Sequence, residues 1–436
     1  MTEQTILNEK QFLDRIHGAS IVIWGARMTG IGLARYAASK DIKVLCFVDS
    51  DPALHRHEIL GIPVLDPKAL AKIYEKETKP ALVVAVSIKE AEIIESLRLM
   101  GLKDIQPIIY SNFSDTFYTV DIVGTCNLKC ASCAHSIKNH GIPLGIMSFA
   151  NLKKVVAKIK RESQLVTHMS LYSWGEPLLH PEIDKIIEYL HENNIAVALS
   201  SNLSIKFEDR IDKVIKKSPE YLKVSTSGYY PKAYNSTHAG GDVNLVKSNL
   251  YRIRHLIDKY QGKQNTLVDV NYHLYRDNNG VNLDKMRELC DELGFVLSTV
   301  HALVMPLERV INHCEGRSDS QTRKLNDNLL VDIDEGIKVS RSTIQSKSTS
   351  CPFRENQVNI NSDLSVPVCC TVFNRGENIV AKNYLNVTPE DIKIGKTSVS
   401  TCKKCMEYGL PEYNMGFNKN KWERIARQKS SFDSGF

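Results

Sequence analysis

Segments of strand length alternate with segments of helix length between residues 115 and 312, and this alternation constrains the fold more than any other feature. Repeated βα units favour a parallel sheet, here a partial barrel, and such folds carry their sites at the C-terminal ends of the strands. Ser148 is predicted as the N-cap of the first helix. The predicted strands cover residues 119–123, 168–172, 195–199, 221–225 and 267–274. The apolar helix faces are Leu152, Val155, Val156 and Ile159; Ile183, Ile186, Ile187 and Leu190; and Leu283, Met286, Leu289 and Leu293.

A glycine-rich turn lies between two short apolar strands near the start of the chain. Gly25 and Gly30 follow the first strand, and Asp49 follows the second. Glycines let the backbone approach a phosphate, a helix N-terminus favours the anion, and the acid can accept a ribose hydroxyl. Residues 1–114 are therefore predicted to form a Rossmann-like, doubly wound domain that could hold a nucleotide or nucleotide-sugar. Arg27 replaces the second glycine of this fingerprint, so a docking domain with an empty site stays open.

Three cysteines lie within eight residues in a loop after the strand at 119–123. Cys126, Cys130 and Cys133 have the spacing Cys-x3-Cys-x2-Cys, with no fourth Cys or His at ligand spacing beside them. A cubane iron–sulfur cluster is normally held by four thiolates. Three local ligands therefore indicate a cluster with one iron left open for binding. Structural zinc is the competing interpretation, although zinc motifs favour paired Cys-x2-Cys units and this loop has one.

Composition narrows the class of protein. The 436 residues are 42% apolar and 24% charged, with no apolar stretch long enough for a membrane span and no signal-peptide core at the polar N-terminus. We therefore expect a cytoplasmic protein, in which eleven cysteines indicate metal ligands before disulfides. The net charge of +6 permits an anionic substrate. The basic run at 418–429 resembles a solvated helix more than a nucleic-acid arm, and neither a membrane nor a nucleic-acid partner is expected.

A second group of cysteines occupies the C-terminal region, 351–436. Residues 358–368 resemble a β-hairpin with its turn near 361–364, which would bring the two cysteines that flank it together. Taken alone, the group fits a zinc ribbon as well as an iron–sulfur site. Before it, residues 313–350 are predicted to form a linker with a helix near 325–337. The four candidate ligands are Cys351, Cys369, Cys402 and Cys405.

Cys370 is left over from this group. It is either a small buried apolar residue or, as the sharper hypothesis, a catalytic hydrogen-atom donor or substitute ligand. Cys46 and Cys290 lie in apolar patterns that favour the core.

The cysteine loop after one strand, followed by Gly175-Glu176-Pro177 after the next, resembles the radical S-adenosylmethionine (SAM) superfamily over most of residues 118–300. The resemblance implies a partial (β/α)6 barrel over residues 115–312. It implies that Cys126, Cys130 and Cys133 bind a [4Fe–4S] cluster whose open iron chelates SAM. Reductive cleavage of SAM would then produce a 5′-deoxyadenosyl radical that abstracts hydrogen from a substrate. A flavodoxin or ferredoxin-type protein would donate the electron.

By position, the resemblance also assigns SAM contacts. Gly175, Glu176 and Pro177 would hold the amino group of SAM, and Ser201 and Asn202 would contact its ribose. Ser225 and Ser227 are weaker candidates for contact with SAM or substrate. Two departures put the subfamily in doubt: Ser132 stands where an aromatic residue is usual, and Trp174 precedes a single glycine.

The C-terminal region resembles the SPASM/Twitch extensions of this superfamily. Five cysteines after residue 350 favour the small Twitch form, in which Cys351, Cys369, Cys402 and Cys405 would ligate a second [4Fe–4S] cluster. The segment at 47–65 resembles Rossmann-like domains of bacterial sugar-modifying enzymes. We therefore expect an α/β, oxidoreductase-type enzyme that oxidises, dehydrates or epimerises a small polar molecule linked to a sugar or nucleotide. A peptide-modifying maturase and a non-enzymatic zinc-binding interaction protein are the alternatives.

Overall fold

Three β-sheets organise the part of the chain that the structure describes. The computed structural model describes residues 9–75, 79–86, 88–114, 117–138, 141–163, 165–260, 265–341, 351–373, 376–416 and 419–429. Within these ranges, every helix is too short or too polar to cross a bilayer.

The first sheet has six strands, and all neighbouring pairs are parallel except one edge pair, β3 with β4. The elements are α1 (Glu9–Ile16), β1 (Ile21–Trp24), α2 (Met28–Ser39), β2 (Val44–Val48), β3 (Glu58–Ile59), β4 (Ile62–Leu65), α3 (Ala69–Tyr74), β5 (Ala81–Val84), α4 (Glu90–Leu99) and β6 (Ile108–Ile109). The strand order β3-β4-β2-β1-β5-β6 reverses direction at β1, which is the doubly wound pattern predicted for this region.

The second sheet contains the βα repeats and confirms the predicted α/β fold. Its elements are β7 (Phe117–Val120), α5 (Phe149–Glu162), β8 (His168–Ser170), α6 (Ile183–Glu192), β9 (Ala196–Ser201), α7 (Glu208–Lys217), β10 (Tyr221–Thr226), α8 (Pro231–Thr237), α9 (Val243–Lys259), β11 (Leu267–Leu274), α10 (Val281–Leu293) and β12 (Val296–His301). Six parallel strands follow in the order β7 to β12, because each helix returns the chain to the same end of the sheet.

The strands of this sheet present different residues to their two faces. On β10, Leu222 and Val224 are buried in the core that the flanking helices share. Lys223 and Ser225 alternate with them and face the inside of the barrel, where they are partly exposed. The inner face is consequently more polar than the outer face.

The remaining elements follow the barrel: α11 (Leu307–Cys314), α12 (Ser320–Asp327), α13 (Ile333–Arg341), α14 (Pro352–Glu355), β13 (Gln357–Ile360), β14 (Val366–Pro367), β15 (Ile379–Ala381), α15 (Pro389–Ser398), α16 (Ser400–Tyr408), α17 (Leu410–Met415) and α18 (Lys419–Lys429). The predicted hairpin at 358–368 is wrong. The turn exists, since Leu364 N donates to Asn361 O at 2.8 Å, but β13 pairs in parallel with β7 as a seventh barrel strand. Val358 and Ile360 pack on the barrel core there, and β14 pairs with β15 instead.

The single helix predicted at 325–337 is also wrong. Asn326 Oδ1 accepts from Ile333 N at 2.9 Å, and Asp332 and Glu335 cap each other's backbone N–H groups, so α12 ends and α13 begins anew. Ile333 and Ile337 are buried, so this part of the predicted linker is packed. Residues 342–350 lie outside the described ranges, and the predicted domain boundaries stay predictions.

The first sheet docks on the N-terminal ends of the barrel strands through α2. A Cβ at Gly32 of α2 would lie 2.8 Å from Thr167 O, so only glycine permits this approach to β8. Arg27, just before α2, donates to Asp269 Oδ2 at 2.9 Å and to Ser298 Oγ at 2.7 Å, on the inner faces of β11 and β12. These contacts close one end of the barrel.

Candidate functional site

The three-cysteine loop lies at the C-terminal end of β7, opposite the end that α2 closes. Backbone contacts hold it: Lys129 N donates to Ala239 O at 2.9 Å, and Ala131 N donates to Thr237 O at 3.0 Å. Burial raises the pKa of the Cys126 thiol to about 12, and it also raises the pKa of Cys130 and Cys133. Such thiols become thiolates when a bound metal supplies the compensating charge.

The three thiols of the loop suit a metal–sulfur group. Among the described residues, no group of three or more His, Cys, Asp or Glu side chains is arranged around one point as the ligands of a single metal ion are. In a cubane, the thiolates bind separate iron atoms.

Asp121 fixes the turn that carries Gly175, Glu176 and Pro177. Its carboxylate accepts from the backbone N–H groups of Ser173, Trp174 and Gly175 at 3.2, 3.3 and 3.4 Å. Burial raises the pKa of Asp121 to about 7, and these three hydrogen bonds oppose that shift. Sequence reasoning missed this residue, although an acid at the end of the first barrel strand was a readable signal.

Position 175 has room only for glycine, because the backbone of another segment lies against it. A Cβ there would lie 1.5 Å from Val123 O, in the segment that leads into the cysteine loop. Glu176 N donates to Thr125 O at 3.0 Å. The turn and the cysteine loop are therefore packed directly together.

Glu176 connects this turn to the loop after β9. Its Oε1 accepts from Leu178 N at 3.0 Å, and its Oε2 accepts from Asn202 N at 2.8 Å. Burial raises the pKa of Glu176 to about 7. Asn202 Nδ2 in turn lies 3.0 Å from Asn127 Oδ1 and 3.7 Å from Cys126 Sγ. The structure thus brings Glu176, Asn202 and the first cysteine together.

The predicted serine contacts divide into buried and accessible groups. Ser201 is 1% exposed and accepts from Leu203 N at 2.9 Å. Ser227 is also buried, and its Oγ lies 2.6 Å from His238 Nδ1. Ser225 is partly exposed on the inner face, 3.4 Å from Ser200 Oγ. Ser225 is the one of these three that is open to a ligand.

The four candidate ligands of the C-terminal region line one small cavity. Cys351 precedes α14, Cys369 follows β14, and Cys402 and Cys405 lie on α16, so three separate segments converge there. Burial raises the pKa of Cys351 to about 11 and also raises those of Cys369 and Cys405. Cys370 is not among the residues that line this cavity, and burial raises the pKa of its thiol as well.

Lys396 places a cation beside this cavity, and sequence reasoning missed it. The side chain is 2% exposed, and its Nζ donates to Arg354 O at 3.2 Å and to Gln357 O. Burial lowers the pKa of Lys396 to about 8, and the neighbouring cysteines oppose that shift. A cation here would favour thiolates in the cavity.

The glycine turn of the first sheet makes its contacts within the protein. A Cβ at Gly30 would lie 1.7 Å from Gly25 O, and Asp49 Oδ2 accepts from Ala26 N at 2.9 Å. Arg27 Nη2 lies 2.5 Å from Asp51 Oδ2 in addition to its barrel contacts. Gly25, Gly30 and Asp49 therefore have structural roles in the turn. The nucleotide site stays a prediction.

Comparison with known proteins identifies the central part of the chain. Residues 120–269, from the end of β7 into β11, match the Radical SAM superfamily. A relative from Methanococcus maripaludis (strain C6 / ATCC BAA-1332), named "Probable GTP 3',8-cyclase", is 27% identical over 199 residues, which are 45% of this chain. The match spans 61% of that relative's length.

Solved structures with bound AdoMet or S-adenosylmethionine are among those that resemble this chain. The structure of anSMEcpe with bound AdoMet matches 73% of this chain and 100% of its own, with 16% identity and a TM-score of 0.44. The Streptococcus suis SuiB structure with S-adenosylmethionine matches 74% of this chain and 84% of its own, with 13% identity and a TM-score of 0.43. The structure of BtrN in complex with AdoMet and 2-DOIA matches 69% of this chain and 89% of its own, with 15% identity and a TM-score of 0.37.

Proposed function

We propose that this chain, which belongs to the radical SAM superfamily, is an oxidoreductase-type enzyme that abstracts hydrogen from a small polar substrate. Members of the superfamily are enzymes that bind a [4Fe–4S] cluster and SAM. One observation carries the assignment of the site: the loop with Cys126, Cys130 and Cys133 is joined to the Glu176 turn through Asn202. The candidate ligands for a cluster and the candidate groups for binding an amino acid are thus at the same end of the barrel, which supports the proposal.

The residues of the chain have distinct tasks in this proposal. Cys126, Cys130 and Cys133 would hold the cluster, which when bound supplies one electron to SAM and an open iron for its amino and carboxylate groups. The backbone of the Gly175–Pro177 turn, with Glu176 ionised, would bind the ammonium of SAM. Asp121 keeps that turn in place by accepting its N–H groups. Such positioning matters because small displacements of a bound reactant slow a reaction strongly.

A second [4Fe–4S] cluster in the C-terminal cavity is part of the proposal. Cys351, Cys369, Cys402 and Cys405 would provide four thiolates and leave no open iron. A closed cluster suits electron transfer, and it could accept the second electron when a substrate is oxidised by two electrons. The buried Lys396 ammonium supports the proposal because it offsets thiolate charge next to the cavity.

The substrate class in this proposal is a small polar molecule linked to a sugar or nucleotide, and the electron donor is a flavodoxin or ferredoxin-type protein. The polar inner face of the barrel supports a polar substrate. The methanococcal relative is named for an activity on GTP, which supports a nucleotide-linked one.

The test is release of 5′-deoxyadenosine from SAM by anaerobically reconstituted, reduced protein. We expect release by the wild type and none after Cys126→Ala, Cys130→Ala or Cys133→Ala. Cys46→Ala is the matched control, since Cys46 is buried in the separate core of the first sheet. Wild-type protein that holds zinc without iron, or that holds iron and never releases 5′-deoxyadenosine, would refute the proposal.

A further inference from the structure

The barrel has a closed floor at the end opposite the cysteine loop. Met28 Sδ lies 3.2 Å from the hydroxyl of Tyr172 and 3.6 Å from Ser170 Oγ, both on the inner side of the barrel. At the same end of the barrel, the Arg27 side chain donates hydrogen bonds to Asp269 and Ser298. A substrate must therefore approach from the C-terminal ends of the strands, where the cysteines lie.

Above this floor the inner face is polar, and several of its side chains are partly exposed. Closed barrels of parallel strands are packed inside with bulky branched side chains. Here Lys223, Ser225, Asn271 and His273 face inward and remain partly exposed. Their outward neighbours Val224, Val270 and Tyr272 are fully buried. The inner space thus resembles a binding pocket, with few polar groups on an apolar frame.

Lys223 brings a positive charge into this space without a carboxylate partner among the described residues. Its Nζ lies 4.9 Å above the ring of Tyr172. The nearest acid in the sheet is Asp269, which pairs with Lys223 in the register of β10 and β11. Both hydrogen bonds that Asp269 accepts, from Arg27 at 2.9 Å and from the Tyr221 hydroxyl at 2.7 Å, go to Oδ2, and Oδ1 has no hydrogen-bond partner among the described residues. The ion pair of this carboxylate is with Arg27 and not with Lys223, so the Lys223 charge is available to a ligand.

Neutral hydrogen-bonding groups lie on the same inner face as Lys223, on its own and the neighbouring strands. His273 Nε2 lies 3.1 Å from Asn271 Oδ1. Burial lowers the pKa of His273 to about 4, and the Lys223 charge adds to that shift, so the imidazole is neutral at pH 7. Ser200 and Ser225 add hydroxyls on neighbouring strands. One cation among neutral donors is a favourable environment for an anion.

We propose that the substrate carries an oxyanion, a phosphate or a carboxylate, which binds the Lys223 ammonium inside the barrel with Ser225 and Asn271 as further hydrogen-bond partners. The inference rests on the proposed function and deepens it by giving the class of substrate. The reacting carbon would then lie between this anion site and the cysteine end of the barrel.

The test uses anaerobically prepared holoenzyme with SAM and three probes that share a polyol: glycerol 3-phosphate, glycerate and glycerol. Calorimetry should show that one of the two anions binds roughly tenfold or more tightly than glycerol, and which one identifies the oxyanion. Lys223→Met should weaken binding of that anion roughly tenfold or more, whereas Lys223→Arg should retain it within a few-fold. Lys153→Met is the control, because Lys153 also lies over an aromatic ring, Phe149, but on the exposed side of α5.

Equal binding of all three probes, or unchanged anion binding by Lys223→Met, would overturn the inference. A Lys223→Met protein that loses SAM and keeps the anion assigns the ammonium to SAM and overturns it as well. If Lys223→Met does not retain iron, Lys223→Gln repeats the comparison. Release of 5′-deoxyadenosine by the wild type without any probe tests the proposed function separately. Release without anion selectivity defeats the inference alone.

Discussion

At the scale of single residues, the site depends on buried charged groups whose partners are backbone atoms. Asp121 is 2% exposed and accepts three consecutive N–H groups, and Glu176 is 2% exposed and accepts two. Buried carboxylates are costly unless such hydrogen bonds compensate them. Their arrangement therefore holds two loops in fixed positions around the cysteines.

Asp121→Asn should separate cofactor positioning from cluster binding. The amide can accept with one oxygen only, so the Ser173–Gly175 backbone loses acceptors and the turn shifts. We expect SAM to bind roughly tenfold more weakly, with unchanged iron content. Equilibrium binding of SAM to the reconstituted protein measures this. Asp242→Asn, at the N-cap of α9, is the control that should leave SAM binding unchanged. Wild-type SAM affinity in Asp121→Asn would contradict the role of Asp121.

His168 predicts a dependence of stability on pH. Burial lowers the pKa of His168 to about 4, below the value of about 6.5 in an unfolded chain. Between these values the unfolded chain binds more protons, so stability falls as the pH decreases from about 6.5 towards 4. At pH 5 this one histidine lowers the free energy of unfolding by about 2 kcal/mol relative to neutral pH.

Denaturant unfolding at several pH values, with iron content followed in parallel, checks this expectation. The slope of the unfolding free energy against pH is proportional to the number of protons bound on unfolding. His168→Leu should reduce that number by about one in this pH window, so the slope should be smaller. The same slope in wild type and variant would show that His168 does not titrate in this way.

At the scale of elements, periodicity predicted the barrel well and the C-terminal region poorly. The helix faces at α5, α6 and α10 and five of the six parallel strands, β7 to β11, follow from local spacing, whereas β12 was not among the predicted strands. The seventh strand, β13, could not be predicted, because its pairing with β7 joins residues about 240 apart and Gln357–Ile360 looks like half of a local hairpin. The candidate ligands could be predicted because cysteine spacing is local information, and the position of Asp121 after the first barrel strand was a local signal that was missed. The role of Lys396 could not be predicted, because it depends on tertiary contacts.

The auxiliary cysteines give a prediction for α16. If the cavity holds one of two four-iron clusters, Cys402→Ser with Cys405→Ser should remove about half of the iron. Release of 5′-deoxyadenosine should persist, because the three-cysteine loop is untouched. Iron analysis of the purified protein measures the loss, and Cys290→Ala in the core face of α10 should keep full iron. Full iron in the double variant would refute the second cluster.

At the scale of the whole molecule, the first sheet acts as the floor of the barrel. Arg27 joins Asp49 and Asp51 of its own sheet to Asp269 of the barrel, where the Asp269 side chain is 1% exposed. A second pair, Arg56 with Asp291, links the same two parts at the exposed surface. The two arginines thus offer a matched comparison of buried and exposed ion pairs.

Arg27→Met should leave Asp269 buried without its cation and lower the free energy of unfolding by about 3 kcal/mol. Arg56→Met should cost about 1 kcal/mol or less, because both partners are solvated. Denaturant unfolding of the two variants provides the comparison. Equal losses would show that the Arg27 contacts do not stabilise the junction.

The central claim is that one cluster has an open iron for SAM while the other has none. Low-temperature electron paramagnetic resonance of the reduced, reconstituted protein, recorded with and without SAM, tests it most directly. We expect two reduced-cluster signals in the wild type, of which SAM changes one, and that one should be absent after Cys126→Ala. Reduced protein with no cluster signal, or with signals that SAM leaves entirely unchanged, would contradict the account.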